Sequence, residues 1–280
     1  MKLILQGPGA TSHTIERIAA LAHTTHITAI ADSAFRCDGV VDTPTIREAV
    51  ENSCIEEHID HSFISKDYSL DDFRVLVMDM DSTLITIECI DEIADMHGLK
   101  SEVAEITESA MRGELDFRAS LTRRVALLKG LDASALHQVF DQRLRLSPGA
   151  RELLQAVKAA GIRTVLVSGG FTYFTDRLQH ELAIDFTLAN VLDIVDGKLT
   201  GKVIGDIIDA TIKRQTVENE CAALSVPTSN AIVIGDGAND LEMMSVAGLS
   251  VAYRAKPVVQ QHADVALNFS GLDGVLNLFR

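Results

Sequence analysis

The sequence predicts an α/β protein with a doubly wound parallel sheet, a helical insertion and a small α/β unit at its N-terminal end. From residue 74 onward, short apolar runs typical of buried strands alternate with helical patterns. Such alternation favours a parallel sheet with helices on both faces. The chain is 47% hydrophobic but only 5% aromatic. Its core must therefore consist mainly of the aliphatic side chains that buried parallel strands prefer.

Residues 1–70 are predicted to form the small unit. Strands are expected at three apolar runs, Lys2–Gln6, His26–Ala31 and Ile59–Ile64. Helices are expected at Thr11–Ala22 and Thr45–Glu51, the second after a threonine and a proline suited to a helix start. This order of elements resembles a short ACT-like regulatory domain. The polar stretch 66–72 is the expected linker to the second domain, residues 71–280.

The second domain carries the strand and helix alternation. Its expected strands are Val75–Met78, Thr164–Val167, Ala231–Ile234, Leu249–Ala252 and Val265–Leu267. Helices are expected between them at Ala150–Ala160 and Ala210–Leu224. A helical insertion at about 85–146 follows the first strand and would cover the strand ends as a lid. Residues 190–205 contain an Asp-Gly pair between alternating runs, which predicts a β-hairpin.

Charge and cysteine usage narrow the class of protein. The net charge is -15 and no basic face is evident, which argues against a nucleic-acid partner. The four cysteines match no metal or redox spacing, as expected of reduced thiols in a cytoplasmic protein. The sequence shows no signal peptide and no membrane-spanning segment. An enzyme of this charge that acts on phosphate must neutralise its substrate locally, with a metal, basic side chains or backbone N–H groups.

The strongest functional signal is the pair of carboxylates directly after the first apolar run. Asp79 and Asp81 are two residues apart at a strand end and would point the same way if the strand geometry continued. Like charges this close need a cation or a shared proton. One carboxylate could act as nucleophile and the other as general acid and base. The alternative is an ordinary acidic turn that caps a helix.

Three further signals follow later strands. Ser168, Gly169 and Gly170 could present a hydroxyl and close backbone N–H groups to a phosphate. Lys213 lies in a predicted helix, where a lone lysine is usually a solvated surface charge. Another strand is followed by a glycine-rich turn with oxygen donors suited to a hard cation, namely Asp236, Asn239 and Asp240. Each signal taken alone has an ordinary structural explanation, as a turn or a helix cap.

Taken together and in this order, the four signals resemble the signature motifs of haloacid dehalogenase-type phosphotransferases, over roughly residues 74–280. The segments DMDSTLITIECIDEIA, MRGELDFRASLTRRVALLKGL and DGKLTG are similar to those of the phosphoserine phosphatases of that superfamily. The resemblance implies a HAD-like fold and Mg²⁺-dependent hydrolysis of O-phospho-L-serine through an aspartyl phosphate. By the same resemblance, this reaction is the last step of serine biosynthesis.

The resemblance also implies roles for single residues. Asp79 would be the nucleophile and Asp81 the general acid and base. Mg²⁺ would be bound by the carboxylates of Asp79 and Asp236 and by the main-chain carbonyl of Asp81. Asp240 would support the lysine and the metal site. The substrate-binding residues would be Glu88, Met111, Phe117, Arg124, Ser168, Gly169, Gly170, Lys213 and Asn239.

The chemistry of phosphoserine agrees with two of these assignments. Its ammonium and carboxylate call for one anion and one bidentate cation in the pocket, and Glu88 and Arg124 meet that need. From the sequence alone, both could equally be solvated helix charges, and Arg123 remains an alternative to Arg124. Two competing functions also remain: transfer of the phosphoryl group to another alcohol, and a non-catalytic module that senses an amino acid. A homodimer is a further expectation.

Overall fold

The computed structural model describes residues 1–111 and 114–280, apart from the side chain of Met111. Its N-terminal part is a four-stranded antiparallel sheet in the order β2-β3-β1-β4. The strands are β1 (Lys2–Gln6), β2 (His26–Ala31), β3 (Ala34–Asp38) and β4 (Asp60–Ile64). Helices α1 (Ser12–Leu21) and α2 (Pro44–Glu56) follow β1 and β3. Strand β3 was not predicted, because its sequence AFRCD mixes charged and apolar residues without a clear period.

Both N-terminal helices begin at a threonine whose hydroxyl accepts a backbone hydrogen bond. Thr11 accepts from the N–H of Thr14, and Thr43 accepts from the N–H of Ile46. Such caps satisfy donors that the first helical turn leaves unpaired. The helices pack on the sheet through an apolar core of their own, which includes Leu3, Leu5, Ile15, Ile18 and Val50.

The C-terminal part is built on a seven-stranded sheet in the order β11-β10-β9-β5-β6-β7-β8. Six strands run parallel, and β8 returns antiparallel to β7 as the predicted hairpin. The bounds are β5 (Val75–Met78), β6 (Arg163–Phe171), β7 (Phe186–Val195), β8 (Lys198–Ile204), β9 (Ala231–Gly235), β10 (Leu249–Tyr253) and β11 (Val265–Leu267). The predicted doubly wound α/β fold is therefore confirmed.

Helices cover both faces of this sheet. They are α7 (Ala150–Ala159), α8 (Thr172–Leu182), α9 (Ala210–Ala223), α10 (Leu241–Ser245) and α11 (Pro257–Gln260), and a 3₁₀ helix, Leu272–Phe279, ends the chain. Successive residues of β5 point to opposite faces, as strand geometry requires. Leu76 and Met78 belong to one apolar core, while Val75 and Val77 belong to the other.

The predicted helical insertion forms a cap over the strand ends. It contains α3 (Cys89–Met96), α4 (Lys100–Met111), α5 (Phe117–Leu127) and α6 (Ser134–Gln142). The chain enters and leaves the cap side by side, because Ile85 and Leu146 form an antiparallel bridge. The cap therefore stands on two adjacent connections next to the end of β5. In the predicted linker, Ser69 caps a short 3₁₀ turn over Leu70–Asp72.

Candidate active site

Three neighbouring strands bring the predicted site together. Strand β5 lies between β6 and β9, and all three run parallel. Asp79 follows β5, Ser168 lies near the end of β6, and Asp236 follows β9. Parallel strands present their carboxyl ends at one edge, where ligands of open α/β sheets bind. These three side chains therefore share one site, although they are far apart in the sequence.

Lys213 is fully buried between two carboxylates. Its Nζ atom lies 2.9 Å from Oδ2 of Asp79 and 2.7 Å from Oδ1 of Asp240. A buried ammonium is tolerated only when it is paired and hydrogen-bonded. Burial acts to lower the pKa of Lys213, but Asp240 and Asp79 outweigh burial and raise it. The lysine is therefore a permanent positive charge in the floor of the site, rather than a solvated surface residue.

Asp240 holds this arrangement in place with both of its oxygens. Oδ1 accepts the hydrogen bond from Lys213, and Oδ2 accepts from the backbone N–H groups of Asp236 (3.1 Å) and Gly237 (3.0 Å). The carboxylate thus fixes the turn after β9 and the lysine of α9 together. A side chain at Gly235 would collide with it, since a Cβ there would lie 2.4 Å from Oδ2 of Asp240.

The carboxylates at this site carry more negative charge than Lys213 can balance. Oxygen atoms of Asp79, Asp236 and Asp240 lie within 4.8 Å of one another. Burial, followed by Asp240, raises the pKa of Asp236 to about 7. Burial, opposed by Lys213, raises the pKa of Asp79 to about 8. A cation bound among these carboxylates would favour their ionised forms and so oppose both shifts.

The donor set fits a hard divalent cation such as Mg²⁺. Carboxylate oxygens are the ligands that this class of ion prefers. Among the described contacts, both oxygens of Asp240 and both oxygens of Asp79 already have a partner, so Asp236 is the carboxylate most open to an ion. The hydroxyl of Thr83 donates to Oδ1 of Asp236 at 3.3 Å, which orients that carboxylate.

Asp81 has the properties of a proton donor. Its Oδ1 atom is buried and finds no hydrogen-bond partner in the described part of the chain. Burial, reinforced by the charge of Glu88, raises the pKa of Asp81 well above its ordinary value. The next residue, Ser82, has a φ of 56°, a left-handed conformation that turns the chain into the cap. Asp81 lines the cavity described below.

The Ser168-Gly169-Gly170 segment continues strand β6 into the site. The hydroxyl of Ser168 accepts a hydrogen bond from the N–H of Gly170 at 2.9 Å. A side chain at either glycine would crowd its neighbours. A Cβ on Gly169 would lie 2.7 Å from Cζ of Phe117, and a Cβ on Gly170 would lie 3.0 Å from Oδ2 of Asp81. The glycines therefore allow the cap and the carboxylate to approach the backbone.

Asn190 supports this segment and was not predicted from the sequence. It is 1% exposed. Its amide donates to the carbonyl of Gly169 at 2.8 Å and accepts from the N–H of Ile208 at 2.9 Å. Asn190 thereby ties the end of β6 to the chain that leads into α9. An asparagine in the middle of the largely apolar β7 was the available signal, but its partners are distant in the sequence.

The cap contributes an anion and a cation to the same cavity. Glu88 accepts a hydrogen bond from the hydroxyl of Ser82 at 2.7 Å, and burial raises the pKa of Glu88. Arg124 has a buried Nε atom without a hydrogen-bond partner among the described residues. Arg123 is exposed and does not line the cavity. The geometry therefore brings Arg124, and not its neighbour, to the site.

A cavity of about 930 Å³ lies between the cap and the strand ends. Its floor includes Asp79 and Asp81, while Lys213 and Asp240 lie beneath it. The lining also includes three residues that the sequence did not single out, Asp91, Asp209 and Lys256. The other predicted substrate residues in the lining are Glu88, Phe117, Arg124, Ser168, Gly169, Gly170 and Asn239. The predicted contact of the Met111 side chain lies outside the described part of the structure.

The cap is also linked to the core across the cavity mouth. The guanidinium of Arg118 on α5 donates to Oδ2 of Asp209 at 2.7 Å. The other oxygen of Asp209 accepts from the N–H of Ile212 and caps α9.

Among the described helices, none combines the length and apolar character needed to cross a bilayer.

Family models match both parts of the chain. Residues 73–248 match the model of haloacid dehalogenase-like hydrolases, and residues 3–50 match the model of a domain of unknown function. A phosphoserine phosphatase from a Polaromonas species is 54% identical over 219 residues, which cover 76% of this chain and 93% of that protein.

Solved structures show the same similarity, two of them over essentially the whole chain. A haloacid dehalogenase family hydrolase from Salmonella enterica is 32% identical with a TM-score of 0.88, covering 100% of this chain and 99% of that one. A probable phosphoserine phosphatase from Vibrio cholerae is 37% identical with a TM-score of 0.84, covering 99% of this chain and 86% of that one. A substrate-bound phosphoserine phosphatase is 35% identical with a TM-score of 0.70, covering 74% of this chain and 99% of that one.

Proposed function

This chain belongs to the haloacid dehalogenase-like hydrolases, and we propose that within this family it is a Mg²⁺-dependent phosphatase that hydrolyses O-phospho-L-serine. The observation that carries the proposal is the composition of one cavity. Asp79 and Asp81 lie at its floor, while the cap supplies Glu88 and Arg124. A substrate with a phosphate, an ammonium and a carboxylate finds a complementary group for each of them.

The phosphate is held by groups of the core domain. Ser168 and Lys213 bind the transferring phosphoryl oxygens, helped by the N–H groups of the glycine segment and by Asn239. Asp79 and Asp236, with the main-chain carbonyl of Asp81, would hold Mg²⁺, and the bound ion would supply positive charge against the phosphate oxygens. Asp240 keeps Lys213 in position. This neutralisation lets the anionic Asp79 approach an anionic substrate.

The reaction then needs two displacements at phosphorus. In the first, a carboxylate oxygen of Asp79 forms a bond to phosphorus as the bond to the serine oxygen breaks, and Asp81 donates its proton to that oxygen. In the second, Asp81 takes a proton from water as the water oxygen attacks the aspartyl phosphate, releasing phosphate and Asp79. The raised pKa of Asp81 suits the acid role in the first step. Fixed positioning and charge supply most of the acceleration.

Substrate recognition is assigned to the cap. Glu88 pairs with the ammonium of phosphoserine, and Arg124 forms a bidentate pair with its carboxylate. Phe117 packs over the backbone of Gly169, where a Cβ would lie 2.7 Å from its ring, and closes this side of the cavity. A phosphate monoester without the amino-acid groups lacks these contacts and should be a poorer substrate.

Three further assignments complete the proposal: the domain organisation, the cellular location and the oligomeric state. Residues 1–70 and 71–280 form two domains, of which the first is ACT-like, and its order β2-β3-β1-β4 with two helices supports this. The protein is cytoplasmic, as its four free and buried cysteines support. It forms a homodimer, which size-exclusion chromatography with light scattering would test.

The test of the proposal is phosphate release with Mg²⁺ from a panel of monoesters. We expect O-phospho-L-serine to have the highest kcat/KM, above O-phosphothreonine and an aryl phosphate. Added alcohols should leave the yield of free phosphate unchanged, because water is the acceptor. A preferred substrate without an amino-acid group would contradict the proposal. Phosphoryl transfer to the alcohols would favour a phosphotransferase.

A further inference from the structure

A buried carboxylate fastens the N-terminal sheet to the catalytic sheet. Asp60, at the start of β4, is 3% exposed. Its two oxygens accept hydrogen bonds from the backbone N–H groups of Asn268, Phe269 and Ser270, at 2.6 to 3.2 Å. These residues directly follow β11, at the edge of the seven-stranded sheet. Because each N–H group would be left unpaired if the carboxylate moved, the contact is strongly directional.

A second set of contacts makes the N-terminal sheet a rigid support. Gln6 is 2% exposed, donates to the carbonyl of Gly274 at 3.1 Å and accepts from Asn277 at 2.6 Å. Ile4 and Ile64 are buried in the same apolar core as residues of the catalytic sheet. The sheet is therefore held by a shared core as well as by polar contacts, unlike a domain on a flexible linker.

Hydrogen bonds continue from the Asp60 contact to the metal-binding end of the sheet. The side-chain amide of Asn268 donates to Gln260 at 3.2 Å, and the amide of Gln260 donates to the carbonyl of Ala255 at 2.6 Å. The adjacent N–H of Lys256 donates to the carbonyl of Asp236 at 3.2 Å. Lys256 itself lines the cavity. Three side chains thus link the N-terminal sheet to the segment that contacts Asp236.

We propose that residues 1–64 act as a fixed support for the metal site, and that Asp60 is the positioning residue through which they act. The proposal rests on the proposed function, because it concerns the Mg²⁺ that Asp236 would bind. Without the Asp60 carboxylate, the segment 268–270 loses its anchor and the contacts of Gln260 loosen. The backbone around Asp236 then gains freedom. Mg²⁺ requires near-ideal octahedral geometry, so this loss of order weakens its binding.

The test compares Mg²⁺ binding by the full-length protein and by Asp60→Asn. Asparagine keeps the shape of the side chain, but its NH₂ group faces N–H donors that need an acceptor. We expect the Mg²⁺ concentration at the midpoint of the thermal shift to rise roughly three- to tenfold. Isothermal calorimetry with Mg²⁺ should give the same change in Kd. The half-maximal Mg²⁺ concentration for phosphoserine hydrolysis should rise in parallel.

Two further variants separate positioning from simple stability. Gln260→Ala removes the middle of the path without touching the Asp60 contact, and it should also weaken Mg²⁺ binding. Asp67→Asn is the matched control, because Asp67 is exposed and pairs only with Lys2 among the contacts described. It should leave the Mg²⁺ midpoint unchanged. If Asp60→Asn lowers the melting temperature but both it and Gln260→Ala keep the parent's Mg²⁺ midpoint, the support role is refuted.

Mg²⁺ binding by these variants can be measured separately from phosphoserine hydrolysis. If Asp60→Asn does not fold, Gln260→Ala alone decides the question. A parent protein that binds Mg²⁺ but does not hydrolyse phosphoserine would contradict the proposed function. The comparison of Mg²⁺ midpoints among the variants would still test the support role in that case.

Discussion

Lys213 Nζ lies 2.9 Å from Oδ2 of Asp79, and both groups are buried at the carboxyl end of β5. The same ammonium contacts Asp240. Lys213 therefore serves two purposes. It makes the burial of Asp79 tolerable, and it leaves a positive charge where a phosphoryl group would lie.

Replacing Lys213 with methionine should remove activity and destabilise the fold. The side chain keeps most of its length, but Asp79 and Asp240 lose their shared cation. We expect kcat to fall roughly 100-fold or more. The free energy of unfolding should fall by roughly 3–5 kcal/mol, as for a broken buried ion pair. Steady-state kinetics and urea unfolding would measure both. Arg214→Met, on the exposed face of the same helix, is the control and should behave like the parent.

The metal-free protein should lose stability as the pH rises from about 4 to about 8. Asp236 and Asp79 have pKa values raised to about 7 and about 8, from an ordinary value of 3.8. In this window the folded state keeps protons that the unfolded chain releases. The stabilisation is therefore present at low pH and is lost as the pH passes through the raised values.

Mg²⁺ should reverse this trend, because it replaces the protons on the same carboxylates. The increase in melting temperature with Mg²⁺ over EDTA should be larger at about pH 8 than at about pH 5. Differential scanning calorimetry at both pH values would measure it. A stabilisation by Mg²⁺ that is independent of pH would mean that the ion binds elsewhere.

Arg124→Ala should impair recognition of phosphoserine more than the chemistry. The variant loses the bidentate contact with the substrate carboxylate, and we expect the KM for phosphoserine to rise roughly 10- to 100-fold. An aryl phosphate has no such carboxylate, so its kcat/KM should change little. Arg123→Ala is the matched control, since Arg123 is exposed on the same helix. A phosphoserine-specific defect in Arg123→Ala instead would show that the wrong arginine was assigned.

The contact between Arg118 and Asp209 should favour the closed position of the cap. Asp209→Asn keeps a good helix-capping residue but removes the charge that Arg118 contacts. We expect kcat/KM for phosphoserine to fall roughly two- to fivefold, within the range of an exposed ion pair. Arg118→Gln should give a similar loss, and the double variant should lose no more than either single variant. Additive losses would mean that the two residues do not act through each other.

Much of the catalytic site could be predicted from the sequence because its chemistry follows strand ends. Strand β5 is an apolar run that stops at Asp79, and such a pattern is local. The sequence left Arg123 and Arg124 as alternatives, and it is the lining of the cavity that favours Arg124. The sheet, the cap and the hairpin followed from periodicity and turn residues.

The contacts that depend on distant residues could not be predicted. No local pattern indicates that Asn190 bonds to Ile208, or that Lys213 is buried rather than solvated. Asp60 lies in a strand that gave no functional signal, yet it bonds to residues about 208 positions away. Ile4 and Ile64 belong to the same apolar core as the larger sheet, so we expect a protein starting near Ser69 to be clearly less stable than the full-length protein.

Hydrolysis of O-phospho-L-serine through an aspartyl phosphate on Asp79 is tested most directly by measuring phosphate release in Mg²⁺ by the parent protein and by Asp79→Asn. An amide cannot form the acyl phosphate, so the variant should lose roughly 1,000-fold or more in kcat. Circular dichroism should show that it is folded, and mass spectrometry should exclude deamidation. We expect rapid release by the parent and none above background by the variant. An inactive parent, or a folded Asp79→Asn protein with activity near the parent's, would contradict it.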